Sequence, residues 1–444
     1  MTTESTMGVI PKPSHSASGS RRAILAATLG NTLEWYDFAV YAYLTPVISQ
    51  LFFPSRDPLT SILSTFAVLA VGFIMRPVGA VFFGWLADRT GRKKALIVSV
   101  TVMGVATVLL GLIPTHAQVG MLAAVLLTVA RLFQGFSVGG EYGASTSFLV
   151  EHAPAGRRGL FGSLAYFSSI LGMAIGGSVV LVFSVILSSA DMAAWGWRVP
   201  FLLSFPLLLV GTYMRLKIDE TPEFNNLRDE TAIERSPLRT VVRSHGRNML
   251  IVMGIVIAFA ISTYTVVSFM LSYLRTVIRI ETVPATLSVV VATLFGALLI
   301  PVFGWLSDRV GRKPLLIIAC VSCIVLPLLG LMIVLTGSMA AVYVGQMVMW
   351  IPVAIFCGVT PAAFAELFPT EVRVSGFGIA YAVSTALFSG TAPFVATLLI
   401  ERTGNTLAPG WYVAAAGAIS LLFVLRLRET GREELPANVR THVS

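Results

Sequence analysis

Charge is what this sequence has least of. Only 12% of its 444 residues are Asp, Glu, Lys or Arg, about half the roughly 25% of a soluble globular chain, so a water-soluble domain of ordinary composition is excluded. Cysteine is nearly absent: Cys320, Cys323 and Cys357 all lie in apolar runs, and no loop offers a pair for a disulfide framework. The CVSC stretch (320–323) has neither a second pair nor a histidine cluster to complete a metal or redox site, which leaves core packing. No lysine follows a glycine anywhere, so the phosphate-binding loop of an ATP-driven pump is missing. Histidine is missing from the apolar centres, since His15, His116, His152, His245 and His442 fall in tails, loops or helix ends. Neither a metal nor a cofactor is expected.

What is abundant is apolar sequence. Hydrophobic residues make up 56% of the chain and mean hydropathy is +0.83. Runs long enough to cross a bilayer are read at about 22–52, 60–86, 95–113, 118–149, 159–188, 199–216, 247–275, 283–306, 315–336, 339–367, 374–400 and 409–426. The fold class that follows is an all-α membrane protein with twelve transmembrane helices. Its expected division is a disordered tail (1–21), a six-helix bundle (22–216), a polar central loop (217–246), a second six-helix bundle (247–428) and a short tail (429–444). The Ser/Pro-rich stretch MTTESTMGVIPKPSHSASGS lacks the apolar core of a cleavable signal.

The placement of the basic residues orients the chain. Of 31 Lys and Arg, 24 fall on the side of the termini and central loop. Five fall on the other side (Arg56, Arg198, Arg275, Arg279, Arg402), and two lie inside spans (Arg76, Arg131). The positive-inside rule makes the termini cytoplasmic. The pI near 9.7 then reflects topology and contact with the lipid bilayer, and nucleic acid is not a partner. Internal repeats support the division. GWLADRTGRKKAL (84–96) recurs as GWLSDRVGRKPLL (304–316), identical at nine of thirteen positions, and EHAPAGRRGLFGSLAY (151–166) shares Glu, Pro, Arg, Ala and Tyr with ELFPTEVRVSGFGIAY (366–381). Two six-helix halves in the same orientation are the parallel repeat of a rocking secondary transporter.

Against this background the few buried charges stand out. Glu34 and Asp37 are the only charges between Arg22 and Arg56, although a charge at a span centre costs roughly 2.5–3.5 kcal/mol on insertion scales. At about 100° per residue, Asn31, Glu34, Asp37, Tyr41 and Thr45 share an arc of about 120°, and Arg131, Gln134, Glu141 and Ser145 share one of about 80°. Glu34 and Arg76 each lie about 18 Å from the cytoplasmic end at 1.5 Å per residue, so the groups can meet near the midplane. Three carboxylates (Glu34, Asp37, Glu141) against two guanidiniums (Arg76, Arg131) leave at least one carboxylate short of a partner, the condition for carrying a proton. Without a histidine at depth, carboxylates must carry it. The blander reading is a set of static ion pairs between helices. Glu34 keeps two roles open, partner to Arg76 or second proton site.

The repeated loops, with GNTLEWYDF (30–38), MRPVGAVFFGWLADRTGRKK (75–94), RLFQGFSVGGEYG (131–143), WGWRVPF (195–201), ETPEF (220–224) and AELFPTEVRVSG (365–376), resemble the major facilitator superfamily. The narrower resemblance is to its metabolite:proton symporter branch, carriers of α-ketoglutarate, citrate, shikimate and proline/betaine. The resemblance implies two six-helix bundles, alternating access and a proton gradient as energy source, in a bacterial-type inner membrane. By likeness to proton-coupled sugar carriers, Asp37 pairs with Arg131, and Arg76 is left for a substrate carboxylate, which a guanidinium grips bidentately. Protonation of Asp37 would release Arg131 while substrate holds Arg76. The same resemblance makes Asp88, Gly91 and Arg92, with Asp308, Gly311 and Arg312, a lock on the cytoplasmic side. The glycines suit a tight turn, and simple topogenic charge is the alternative. About sixteen residues follow the last span, too few for the long C-terminal coiled coil of the branch's osmosensing carriers, so no osmosensory role is expected.

The C-terminal half has no charge at a span centre. Its candidate pocket groups are Tyr264, Tyr273, Gln346, Trp350, Tyr381 and Ser384, joined from the first half by Tyr41 and Gln134, and packing competes with substrate contact at each. The leading substrate is a small organic di- or tricarboxylate, with a proline/betaine-type zwitterion as alternative, since an aromatic cage would suit a quaternary ammonium. GFSVG (135–139) matches the hydrolase pattern G-x-S-x-G, but no membrane histidine exists to activate Ser137, and Gly135 and Gly139 suit a close helix contact. A nutrient sensor would need a signalling domain that the 30-residue loop cannot hold. No obligate protein partner is inferred.

Overall fold

In a hydrocarbon layer every backbone amide must find its partner within the segment, and this chain meets that demand with helix. The computed structural model describes residues 17–431, apart from 91, 140, 152, 155, 217–236, 370 and 371. Nine helices among the described residues are long and apolar enough to cross a membrane. Ala17–Phe52 and the shorter apolar segments Ile97–Leu112 and Leu122–Val138 supply the first, third and fourth spans, completing the twelve-helix, two-bundle membrane fold. Large apolar side chains such as Leu109, Leu112, Phe133, Leu298 and Met332 face outward, as suits a molecule whose solvent is lipid. The seventh and tenth spans are 83% buried against 39% for the ninth, so the former line the centre and the latter the rim.

Three spans that reach the centre are interrupted there. The second breaks at Met75, between Pro58–Ile74 and Arg76–Thr90, where Pro77 has no N–H to continue the ladder. The fourth divides into Leu122–Val138 and Glu141–Glu151. The seventh runs as Pro237–Tyr264, a π-turn Thr265–Phe269 and Met270–Thr276, and single π-turns of this kind frequently mark functional sites. The second and fourth spans touch backbone to backbone. A Cβ on Gly135 would lie 1.7 Å from the Gly72 carbonyl oxygen and one on Gly139 2.0 Å from that of Arg76, so the GFSVG stretch is the expected small-residue contact. Ser137 Oγ donates to the Gln134 carbonyl at 2.8 Å.

Element ends differ from expectation in three places. The first helix begins at Ala17 and the seventh-span helix at Pro237, inside segments expected to be tail and loop; a non-helical residue, His245, divides the latter. The third is Glu429, expected in a tail. Its carboxylate accepts from the backbone N–H groups of Arg312 (2.8 Å), Lys313 (3.0 Å) and Gly431 (2.9 Å), the first two being amides that a helix start leaves without partners. Residues 1–16, most of the central loop and 432–444 lie outside the described residues.

Candidate functional site

The site is built from the first, second, third and fourth spans. Asp37, Arg76 and Arg131 are 3%, 4% and 1% exposed, so they are shielded from both faces of the membrane. The expected direct pairing of Asp37 with Arg131 is replaced by a relay. Thr107 Oγ1 donates to Asp37 Oδ2 at 2.8 Å, Gln134 Nε2 donates to Thr107 Oγ1 at 2.6 Å, and Arg131 Nη1 donates to Gln134 Oε1 at 2.7 Å. The direct pair gives way because Thr107 and Gln134 stand between its members, and the Tyr41 ring takes the guanidinium face, 3.4 Å from Arg131 Cζ.

The relay has one adjustable member. A hydroxyl has one hydrogen and two lone pairs, and Thr107 Oγ1 also lies 3.0 Å from the Met103 carbonyl. With Asp37 ionised, the hydroxyl donates to the carboxylate. The Thr107 hydroxyl therefore has a second acceptor to turn to, the Met103 carbonyl, should the carboxyl donate to it, and the Gln134 bond is the same in either case.

Arg76 sits among rings. Its Cζ lies 3.8 Å from the centroid of Phe73, 4.8 Å from that of Phe38 and 5.6 Å from that of Trp35, inside cation–π range. Phe38 also stands 5.8 Å from Arg131 Cζ. Tyr264 of the other half meets Phe73 edge-on at 5.1 Å. Asp37 Oδ1, Arg76 Nε and Nη2, and Arg131 Nε and Nη2 are buried without a hydrogen-bond partner, a condition that normally costs about 1–3 kcal/mol per group, more when charged. The cluster therefore retains bonding capacity for an anion beside a group that can hold a proton.

The other sequence candidates divide. Tyr41 is at the site, with its hydroxyl committed to the Thr65 carbonyl at 3.0 Å. Gln134 is inside the relay. Tyr381 accepts from Tyr166 Oη at 3.0 Å. Trp350 is packed against Gly296, Gln346 donates to Ser288 Oγ at 3.0 Å, Tyr273 donates to the Thr406 carbonyl at 3.1 Å and Ser384 to that of Ala380 at 2.9 Å, so these four are spoken for by packing or local bonds. The side chains of Glu34, Glu141, Asp88 and Arg92, and residue Gly91, lie outside the described residues. Sequence reasoning missed Trp35, Phe38, Phe73 and Thr107. The aromatics carry no signal until their rings converge, whereas Thr107 was visible as a polar interruption of an apolar span.

At the end bearing the repeated loops, the two halves are clasped. Asp308 accepts from the Gly159 and Leu160 N–H groups at 2.7 and 2.9 Å and from Arg312 Nη1 at 3.0 Å. Arg312 grips Glu366 through Nε (3.2 Å) and Nη2 (3.1 Å), and Thr430 donates to Glu366 at 2.6 Å. Gly311 has φ 108°, the left-handed region that favours glycine. Glu151 pairs with Arg373 and Arg158 with Glu366 at 3.8 Å. These four residues, with Tyr166 and Tyr381, are the equivalent positions of the second repeat, so each half's Glu meets the other half's Arg. Of the pairing residues of the second repeat only Tyr381 had been singled out, and as a pocket group, although the repeat itself identified them all. Burial pushes the Glu429 carboxyl up, but the three backbone N–H groups and the Arg312 guanidinium outweigh it and hold it below its ordinary value. Cys320, Cys323 and Cys357 are buried and free, and no cluster of metal-ligating residues occurs among the described residues.

Comparison with known proteins agrees with this architecture. Residues 23–235 match the family "Sugar (and other) transporter" and residues 285–443 match "Major Facilitator Superfamily". The glycine betaine/proline/ectoine/pipecolic acid transporter of Dickeya dadantii is 36% identical over 94% of this chain and 84% of that protein. The proline/betaine transporter of Escherichia coli K12 is 33% identical over 94% and 85%, and the ectoine/proline transporter of Corynebacterium glutamicum 36% identical over 94% and 85%. Among solved structures, the xylose transporter of E. coli in a partially occluded inward-open conformation superposes with TM-score 0.75 over 94% of this chain and all of that one, at 20% identity. The relatives are transporters rather than enzymes, which disposes of the serine-hydrolase alternative. Matched along both halves and related over nearly its whole length to carriers of one kind, this multi-pass membrane transporter belongs to the major facilitator superfamily, in its metabolite:proton symporter branch.

Proposed function

We propose that the protein is a proton-coupled symporter that imports a small zwitterion carrying a carboxylate close to a cationic nitrogen, of the betaine or proline type. The observation that carries this reading is the juxtaposition of two buried guanidiniums with unpartnered N–H groups and a wall of aromatic rings. Guanidinium suits the carboxylate and ring faces suit the cationic nitrogen. The substrates named for the relatives share those two features, so the zwitterion takes precedence over the di- or tricarboxylate that the sequence had put first. The organic acid stays as the second reading, favoured by one fact: neither arginine forms an ion pair with Asp37, so two cationic anchors are available to a dianion.

In this mechanism Asp37 takes the proton, Thr107 reorients, and Arg131 loses its counter-charge through Gln134. The substrate carboxylate restores the balance. Neutralised in this way, the centre passes through the occluded state. The clasp of Asp308, Arg312, Glu366, Glu151 and Arg373 holds one end shut meanwhile. From the distribution of basic residues, that end and both termini face the cytoplasm of a bacterial-type inner membrane. The test is a thermal-shift panel of glycine betaine, proline, α-ketoglutarate and citrate on the purified protein, followed by uptake into proteoliposomes under an inward proton gradient. Stabilisation by the zwitterions and gradient-driven uptake are expected. Stabilisation by the organic acids alone would replace the first reading by the second, and uptake indifferent to the gradient would remove the proton.

A further inference from the structure

Three ring faces converge on a single point, and that point already holds a cation. Arg76 Cζ lies 3.8, 4.8 and 5.6 Å from the Phe73, Phe38 and Trp35 centroids. The rings also contact one another, Trp35 to Phe38 at 5.7 Å and Phe38 to Phe73 at 5.8 Å. Such a three-walled arrangement has room for one cationic group. A second positive charge beside the first would be repelled in a site this deeply buried. Yet Arg76 itself is poorly served, because Nε and Nη2 have no partner.

We propose that Arg76 is the resident occupant of the receptor for the substrate's cationic nitrogen, and that binding is an exchange in which the substrate's ammonium takes the ring box while the displaced guanidinium takes the substrate's carboxylate. The inference rests on the zwitterion reading above and deepens it. Arginine is suited to the exchange, having a flexible stem and a planar fork that matches a carboxylate bidentately. The substrate must supply both halves, a cation for the rings and an anion to hold Arg76 outside them. A quaternary ammonium without a carboxylate fails because nothing compensates the expelled guanidinium. A dicarboxylate fails because nothing takes its place in the box. The exchange is also legible to the second half of the molecule. Tyr264 packs edge-on to Phe73, and Gly390 lies so close to it that an added Cβ would come within 2.6 Å of the Phe73 Cβ.

The test uses choline, which has the quaternary ammonium and no carboxylate, alongside glycine betaine. Wild-type protein is expected to bind glycine betaine at least tenfold more tightly than choline. Arg76→Gln, and Arg76→Met as a second variant should the first fail to fold, are expected to reverse that order: choline binding appears and betaine binding weakens at least tenfold. Phe73→Leu is expected to abolish the choline binding gained by either variant. A readout in the otherwise native chain is the indole fluorescence of Trp35, which is expected to change with betaine and to lose that change in Trp35→Phe. The exchange is overturned if both folded Arg76 variants stay blind to choline, if wild type binds choline as tightly as betaine, or if Trp35→Phe leaves the fluorescence change intact. Betaine binding by wild type with no gain of choline by the variants would sink the exchange and leave the zwitterion reading standing. Failure of wild type to bind any zwitterion would remove both.

Discussion

The centre of the molecule and its clasped end use the same residue types in opposite ways. At the clasp, carboxylates are saturated: Glu366 accepts from Arg312 twice and from Thr430, Asp308 from two backbone amides and Arg312, and Glu429 from three backbone amides. At the centre, Asp37 has one bonded oxygen, and Arg76 and Arg131 each keep two nitrogens without partners. Among the described residues of the clasp, only Arg373 Nη2 is similarly left over. Under the proposed mechanism, groups that hold one state shut are fully bonded in it, whereas groups that change partners in each cycle are held under-bonded. That difference can be broken from either side.

The largest effect is expected at the centre. Asp37→Asn keeps a hydrogen-bonding group toward Thr107 but cannot take up and release a proton, so uphill accumulation in proteoliposomes should vanish while substrate counterflow persists. Full accumulation by this variant would mean that Asp37 is merely structural. Next in size is the clasp. Arg312→Gln removes the cation that Glu366 and Asp308 share and leaves Glu366 with the longer ionic contact to Arg158, and breaking a buried pair from one side costs about 3–5 kcal/mol. Thermal unfolding in detergent should fall accordingly, with zwitterion binding to the folded fraction changed far less. A variant as stable as wild type would show that saturation at the clasp is ornamental. Third is Thr107→Val, which keeps the shape and removes the hydroxyl. Both Asp37 and the Gln134 amide lose a partner, a loss of about 1–3 kcal/mol each, and Asp37 is cut off from Arg131. The pH profile of uptake should shift while binding at a fixed favourable pH is largely retained. An unshifted profile would mean that the proton is sensed by another route.

How much of this contrast was legible in the sequence depends on what writes it. The twelve spans follow from runs of apolar residues, and the buried charges Asp37, Arg76 and Arg131 from their rarity, because each must have a reason to be where it is. The clasp was half legible. The first repeat pointed to Asp308 and Arg312, while the second contained Glu151, Arg158, Glu366 and Arg373 without revealing that equivalent residues of the two halves would face one another. That pairing follows from the quasi-twofold relation of the bundles and could have been drawn from the repeat alone. The relay could not. Thr107 joins Asp37 to Gln134 across three different spans, the third reaching the first and the fourth, an approach between helices that no helical periodicity encodes. The ring box was hidden for the same reason, since Trp35, Phe38 and Phe73 are ordinary membrane residues until three spatial directions converge on Arg76.

The smallest effect sharpens the comparison at the clasp's outer edge, where saturation comes from backbone amides and the carboxylate is half exposed. Glu429→Gln keeps the side chain's length and one acceptor but gives up the charge at the start of the ninth-span helix. Losing such a cap typically costs about 1 kcal/mol, and solvent screening keeps the effect small. Its pH dependence has a definite sign. The carboxyl titrates below its ordinary value of 4.5 in the folded protein, so its contribution is complete above that value and is lost as pH falls through the lower, folded one. The stability gap between wild type and Glu429→Gln, read as a difference in unfolding temperature, should therefore be constant from pH 7 down to about pH 5 and close only on further acidification. A gap that instead closes between pH 7 and pH 5 would mean that the amides do not hold Glu429 ionised, and that the clasp's edge is as loosely bonded as the centre.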